Sequence, residues 1–510
     1  MLTNSIRRGA ALALSALSLA SFSEAAHAAP ADLDRSFGTD GVTQVTAPGG
    51  QTSRSLAMQP DGKLLISGVT DSDALVARLN SGGSVDRDFG TLGLRAINSG
   101  GTESAQAATV DPNGKIVVAG YTTVNDDGAV YRLHETGAFD NSLDGDGALG
   151  LDNGRSEFAT DVAIDRDGQI VVVGVTDAKG NRDAFVYRLD RDGRPDRRFG
   201  NGTGKVIIDT GGQNGASTVV PMADGRILVA GSESTRKDAI VHRLTYEGSP
   251  DTTFDGDGMQ FIDRGGSEGA VDLALQEDGK VVVAGESATA SNEDGFIARL
   301  NANGLPDDEF RSQTIDTGPF DQLAAIAIQK DGKIVGGGTA GGKGALAIRL
   351  DRDGTRDGTF GRSGLATFGN TALDAARGLI LQPDGRIVLA GDNSANDRDV
   401  VAIRLQGGDE DRGGNGGGGV TGDVGDGRPP RAGERFRCAG LRVTIVGGKG
   451  RDRIKGTRKR DVIAARAGRD VVTGLRSNDV VCGGSGNDVI RGGSGRDRLS
   501  GGSGRDITRQ

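Results

Sequence analysis

Residues 110–120 read VDPNGKIVVAG, and the same eleven-residue figure returns as MQPDGKLLISG (58–68), IDRDGQIVVVG (164–174), PMADGRILVAG (221–231), LQEDGKVVVAG (275–285), IQKDGKIVGGG (328–338) and LQPDGRIVLAG (381–391). The turn glycines Gly62, Gly114, Gly168, Gly225, Gly279, Gly332 and Gly385 stand 52 to 57 residues apart. A fixed period of this size marks a propeller or solenoid, in which one supersecondary unit is copied along the chain. Asp-Gly or Asn-Gly between two apolar runs is a hairpin signature and predicts a type I′ turn, whose two central residues need positive φ. The run after the turn, such as Ile116-Val117-Val118-Ala119, is apolar without alternation, as in a strand covered on both faces.

Working outward, each copy reads as four strands. The Asp-Gly turn joins the second to the third, and a variable loop leads to a fourth that ends in Arg78-Leu79, Arg132-Leu133, Arg188-Leu189, Arg243-Leu244, Arg299-Leu300, Arg349-Leu350 or Arg404-Leu405. A connector with Asp and Phe, as in VDRDFGTLG (85–93), is then expected to open the next unit's first strand. Four strands in each of seven near-even copies fit propeller blades better than solenoid turns. The seventh copy stops at Leu405 without its connector, while an unattached one, LDRSFGTDG (33–41), stands near the N-terminus, as the seam of a closed ring requires. The string QPDGKLLISG, followed by VARLN and VDRDFG, resembles the delta-60 repeat of bacterial exported proteins over residues 32–406. That resemblance implies an architecture and brings no activity. The expected fold is all-β: a seven-bladed β-propeller over 29–406, then a small parallel β-roll. The sixth copy, with Gly336-Gly337-Gly338, is expected to form a looser blade.

Composition agrees with many short strands and an aliphatic core, for the 510 residues include 87 Gly and 15 Phe but 4 Tyr and no Trp. Residues 1–28 read as a secretory signal peptide: Arg7 and Arg8, an apolar run from Ala10 to Phe22, then Ala26-His27-Ala28 as a cleavage site. The run is too short to anchor the chain across a bilayer, and no later segment is apolar enough to span one. The chain is therefore expected outside the cell.

The formal charge of −10 hides an asymmetry, because residues 431–510 hold 19 Lys/Arg against 8 Asp/Glu. A Gly-rich, charged stretch over 407–437 reads as a flexible linker. From Gly447 to Arg509 seven nonapeptides stand in register, GGKGRDRIK, GTRKRDVIA, ARAGRDVVT, GLRSNDVVC, GGSGNDVIR, GGSGRDRLS and GGSGRDITR, each with aspartate sixth and six of them with an aliphatic residue eighth. This resembles the hemolysin-type RTX repeat, GGxGxDxUx, whose glycine-aspartate turns bind Ca2+ in a parallel β-roll. The resemblance implies two nonapeptides per coil, units two apart stacked, and calcium ligands at Asp452, Asp470, Asp479, Asp488, Asp497 and Asp506. A glycine-rich coil that needs no metal is the competing reading, favoured by the basic residues of the worn units. Cys438 and Cys482, the only cysteines, are expected to pair in an oxidising compartment. Pairing requires the segment before Gly447 to fold back along the coils, since a regular roll would hold the two too far apart.

No nucleophile setting or metal triad stands out in the body. Its histidines, His134 and His242, lack partners, and the Arg and Asp that recur in every copy suit a structural pair, because a catalytic group is needed once. DGDG at Asp144–Gly147 and Asp255–Gly258 occupies the connector slot and reads as a turn before it reads as a calcium loop. A ligand is expected on the face formed by the variable loops. The leading reading is a secreted, non-enzymatic binding or scaffold protein with an unknown extracellular ligand, neither nucleic acid nor membrane being indicated. An adhesin or matrix component is one alternative. A hydrolase or lyase using variable-face carboxylates such as Glu157 with Asp161, or Glu293 with Asp294, is the other.

Overall fold

The computed structural model describes residues 29–407 and 437–509, apart from 47–48, 125, 152–153, 155, 179–180, 291, 370, 372, 394–397, 439–440, 443–444, 447–452, 456–459, 466–468, 504 and 506. The expected signal segment and nearly all of the expected linker lie outside these residues. The chain divides into two compact units, residues 1–416 and 417–510. Among the described residues there is no helix.

The first unit is a ring of seven four-stranded antiparallel sheets. One blade consists of β2 (Gln51–Met58), β3 (Leu64–Thr70), β4 (Asp73–Leu79) and β5 (Leu94–Ile97), paired in that order from the central channel outward. The expectation that the strand after each connector opens the next unit is thus corrected. Leu94 pairs with Ala77 and Ile97 with Ala74, so β5 closes its own blade. The connector is long enough to turn the chain back against β4, and antiparallel return beside the preceding strand is the short connection.

The seam confirms closure. β1 (Val42–Val45) pairs antiparallel with Val400–Leu405, Val42 opposite Ile403, and supplies the outer strand that the seventh blade lacks. Leu33 bridges Leu405, and the Arg404 Nε donates to Asp34 Oδ2 at 2.8 Å across 370 residues of sequence.

The Asp-Gly hairpins also differ from expectation. In 111–115 the Gly114 N–H donates to the Asp111 carbonyl at 2.9 Å, and only Gly114, at φ 81, has positive φ. This is a three-residue loop: a type I turn with Pro112-Asn113 at its centre, followed by a left-handed glycine. The Pro112 ring locks its own φ at a negative value, which excludes type I′. The Asp111 carboxylate caps the loop by accepting from the N–H groups of Asn113 and Lys115.

Every inner strand carries a one-residue bulge, which falls on Arg54, Gln106, Thr160, Ser217, Val271, Ala324 and Arg377 in turn. The glycine that ends the repeated figure lies beside this bulge. A Cβ at Gly120 would stand 1.7 Å from the carbonyl oxygen of Ser104, so no other residue fits there. The core lies between blades. Ile116, Val117, Val118 and Ala119 have no exposed surface, and Val171, Val173 and Val186 of the third blade pack on Ala216, Val219 and Val229 of the fourth. The sixth blade keeps its full ladder despite Gly336–Gly338, and Leu379 and Leu389 of the seventh fill the space over Gly337.

Candidate functional site

The second unit is built from two parallel sheets. One contains Ile445–Val446, Val462–Ala464, Val480–Ser485 and Arg498–Ser503, and the other Arg453–Lys455, Val471–Arg476, Val489–Ser494 and Ile507–Arg509. Each strand skips the next nonapeptide and pairs with the one after it, Val462 opposite Val480 and Val471 opposite Val489, so two nonapeptides make one coil. The eighth residues form the core: Ile463, Val472, Val481 and Ile490 are fully buried, with Ile454 and Leu499 packed on them. Thr508, the exception in sequence, is exposed.

This winding stacks the sixth-position aspartates. The N–H of Asp461 donates to Asp479 Oδ1 at 2.9 Å, that of Asp470 to Asp488 Oδ1 at 2.8 Å, and that of Asp479 to Asp497 Oδ1 at 2.8 Å. Asp470, Asp479 and Asp488 have no exposed surface, and Asp497 only 6%. Each Oδ1 is thus used to hold the coils together, which leaves Oδ2 to point at the turn glycines. A Cβ at Gly483 would lie 2.5 Å from Asp488 Oδ2 and 2.4 Å from the Gly501 carbonyl oxygen. One at Gly474 would lie 2.6 Å from Asp479 Oδ2 and 2.5 Å from that of Gly492. The absent side chains leave cradles into which a carboxylate and a carbonyl oxygen both face. Asp479 Oδ2 is buried without a hydrogen-bond donor. Burial, together with the charges of Asp497 and Asp461, raises the Asp479 carboxyl above its ordinary range.

Clustered oxygens on glycine turns, negative and shielded from water, are what a hard divalent cation requires. The donor set fits calcium at Asp479, Asp488 and Asp497. Asp452 and Asp506 lie outside the described residues. The stacking expected of Asp479 with Asp497 is present, whereas that of Asp488 with Asp506 is not described. The strand Arg437–Cys438 lies against Val462–Ala464 and against Val480–Ser485, which carries Cys482. The chain before Gly447 therefore does return along the coils. The Cys438 side chain lies outside the described ones.

On the propeller, recurrent polar residues are structural. In all seven blades the Arg before Leu donates through Nε to the connector Asp at 2.7–2.8 Å. In six of them the guanidinium also reaches a backbone carbonyl of the next blade, as Arg299 does to Arg352 at 2.6 Å and Arg404 to Ser81 at 2.8 Å. In the third blade Arg188 lies 4.2 Å over the Tyr246 ring instead. The connector Phe stacks beneath, as Phe89 does 4.5 Å from Arg78, and Leu143 stands in its place in the second blade. Burial raises these carboxyls, but the hydrogen bonds and guanidinium charge outweigh it, and Asp86, Asp140 and Asp357 end below the usual carboxylate range.

The variable face holds two groups of three carboxylates, Asp238 with Asp263 and Glu268, and Asp294 with Asp316 and Asp321, each within 4.8 Å. These tie down turns: Glu268 accepts from Gly266 and Ser287, and Asp321 from Gly318 and Thr317, as Glu103 does from Gly101 earlier in the ring. Glu157 accepts from Thr176, whereas Asp161 faces the channel and accepts from Val162 and, in the next blade, Val219. Burial pushes Asp161 up to about 6, and pushes Asp272, aided by the charge of Asp161, up to about 7. Glu293 and Asp294 point apart. Asp294 joins the Asp316 group, while Glu293 accepts from Gln322 at 2.7 Å and lies beside Glu286, which burial and that neighbour push up to about 7. His242 is buried and held down at about 4 by burial, and His134 is exposed. The DGDG segments are turns, in which Asp146 and Asp257 accept from the N–H groups of Ala148 and Met259.

The family described as a domain of unknown function (DUF5122) beta-propeller matches residues 59–89, 112–143, 166–199, 223–254, 276–310 and 329–360. The seventh blade, whose connector comes from the other end of the chain, falls outside these segments. The RTX calcium-binding nonapeptide repeat matches 446–481 and 476–507. No curated protein matches the sequence. Among solved structures, the chain is similar to Sqt1 from Chaetomium thermophilum, with 15% identity, a TM-score of 0.42, 71% of this chain and 97% of that one covered. It is similar also to XC5397, a gluconolactonase from Xanthomonas campestris, with 14% identity, a TM-score of 0.34 and coverage of 74% and 97%. A third is the polysaccharide lyase Uly1, with 13% identity, a TM-score of 0.42 and coverage of 71% and 90%. The chain carries the repeats of the DUF5122 beta-propeller family in its body and RTX calcium-binding nonapeptide repeats in its C-terminal tail.

Proposed function

We propose that this is an exported, non-enzymatic binding or scaffold protein whose roll is ordered by calcium outside the cell. The observation that carries the reading is the stack of buried carboxylates with second oxygens aimed into glycine cradles at Gly474, Gly483 and Gly492. In this reading Asp470, Asp479, Asp488 and Asp497 hold the ions, with Asp452 and Asp506 as outer members. The propeller is a rigid display frame, sealed by its own seam and inter-blade arginines. The segment 1–28 directs export, and no described helix is long and apolar enough to cross a membrane. A disulfide between Cys438 and Cys482 locks the returning segment to the worn coils. Calorimetric titration of the full chain with calcium tests the first part: saturable heat lost on Asp479→Asn and Asp488→Asn supports it, and no heat at millimolar calcium overturns it. Thiol labelling of the unreduced protein tests the disulfide.

One observation favours a second reading, a hydrolase or lyase on the variable face. Glu286, raised to about 7 beside Glu293, is a carboxyl suited to proton transfer at neutral pH, and it lines a cavity of about 370 Å3. Turnover of a polysaccharide or lactone that disappears in Glu286→Gln would replace the first reading with this one.

A further inference from the structure

Sevenfold recurrence separates structural residues from the rest, and at the bulge positions the copies differ. Five of the seven are uncharged. The other two, Arg54 and Arg377, fall in neighbouring blades, since the seventh blade abuts the first and a Cβ at Gly378 would stand 2.6 Å from that of Leu56. A bulge re-aims one side chain out of the ladder, and here it aims both arginines at the channel mouth. Three adjoining cavities of about 330, 360 and 370 Å3 share these two residues. Among the described residues Arg54 makes no ion pair or side-chain hydrogen bond, and the Arg377 Nε is buried without a hydrogen-bond acceptor and pairs with Asp392 only at 4.0 Å. Arg78 and its six equivalents, by contrast, each hydrogen-bond their own aspartate at 2.7–2.8 Å. The cavity of about 370 Å3 is lined as well by Glu286, Gln322 and Thr339, hydrogen-bonding groups suited to hydroxyls, and by Val271 and Ala324.

We propose that the variable-face mouth of the channel binds an acidic saccharide, with Arg54 and Arg377 taking its oxyanion and Glu286, Gln322 and Thr339 its hydroxyls. This rests on the reading of the propeller as a binding frame. Arg54 and Arg377 line the same cavities, where Asp374 and Asp392 neutralise them in part and an anionic ligand would do so further, and a forked donor matches carboxylate and sulfate alike. The ligand class needs no aromatic platform, consistent with the absence of Trp from the chain.

The test is calorimetric titration of the full chain with three short oligosaccharides: a uronic acid trimer, a sulfated trimer and a neutral glucose trimer. Binding of either acidic probe, weakened roughly ten- to a hundredfold by Arg54→Gln or Arg377→Gln and unchanged by Arg460→Gln in the basic tail, is expected. Which acidic probe binds decides between carboxylate and sulfate. Equal binding of the neutral trimer, no binding of either acidic one, or a loss that follows Arg460→Gln overturns the proposal. Should an arginine variant fold poorly, amide exchange of the unaltered protein gives a second readout: the bound probe protects 51–58 and 375–381, and protection elsewhere overturns the site. A neutral glycan bound elsewhere would defeat this site and leave the binding-frame reading standing, whereas absence of any ligand would defeat both.

Discussion

Both halves of this molecule bury aspartates, and they do so on opposite terms. In the propeller each recurrent aspartate meets an arginine at 2.7–2.8 Å, and the pair is complete within the protein. In the roll the buried aspartates are stacked on one another two nonapeptides apart, the backbone N–H of Asp461, Asp470 and Asp479 donating to the carboxylate of Asp479, Asp488 and Asp497. The first arrangement is stable by itself. The second brings like charges together away from water, which raises the Asp479 carboxyl, and under the proposed function a cation offsets that repulsion. Under the proposed function the difference makes one unit a frame complete in itself and the other a module ordered by calcium.

Removing calcium should break the comparison most visibly. For such sites the free energy of metal binding is free energy of folding, and each site loaded at about a hundred times its Kd contributes about 3 kcal/mol. Chelation is expected to abolish amide protection over 471–503 while leaving 116–119 untouched, as hydrogen exchange would show. Equal loss in both units would refute the distinction. Next in size, Arg349→Met takes the guanidinium from Asp357 but leaves it Lys333 Nζ at 2.8 Å, and should cost about 1.5–3 kcal/mol of propeller stability by denaturant midpoint. Asp357→Leu added to it should restore most of that loss, since a paired site replaced by apolar groups is often neutral.

Smaller effects sharpen the roll. Gly483→Ala puts a methyl 2.5 Å from Asp488 Oδ2 and should lower calcium affinity about tenfold or more, the scale of an interaction near about 1.4 kcal/mol. Asp479→Asn should have opposite signs in two conditions: it weakens calcium binding, yet in chelator it stabilises the roll by roughly 1 kcal/mol by removing a like charge. No arginine-paired aspartate of the propeller should respond this way.

The pH profile of the propeller is the finest test. Asp34, Asp86, Asp140 and their equivalents have lowered pKa values when folded, so their stabilisation is present above the ordinary carboxylate range and is lost as pH falls below it. Asp161, Asp272 and Glu286 are raised to about 6, 7 and 7, so they contribute the reverse: stability declines as pH rises from about 4 through 7. Melting temperature should therefore peak on the acid side of neutrality, and Asp272→Asn should flatten the neutral limb whatever it does to the absolute midpoint.

Much of this is legible in the residues. The repeated figure at 110–120 and the stray connector at 33–41 together imply seven blades and a seam, because a repeat that must close on itself has to borrow its missing strand from the other end. The nonapeptide register gives the roll through its resemblance to the RTX repeat, which implies two nonapeptides per coil and units two apart stacked. Two local features are not legible in the same way. The hairpin departs from a two-residue turn because Asp-Gly alone does not show that the residue before it, Pro112 in the second blade, also belongs to the loop. The strand after the connector closes its own blade rather than opening the next because periodicity has no phase: a sequence of identical units does not say where one sheet ends.

Sequence by itself determined the number of units, their strand content and the recurrent pairs, which follow from local spacing, and the carboxylate ladder, which the resemblance to the RTX repeat implies. Only the tertiary structure decided what lies side by side around the ring. Arg54 and Arg377 belong to the first and last blades of the chain and are neighbours at the channel mouth, Glu286 meets Glu293 across a hairpin, and Asp161 clamps the blade after its own. The reason is geometric. A repeat specifies its own strands and its contact with the next copy, whereas the channel collects inner-strand residues from every copy, and its chemistry comes from the positions where the copies differ.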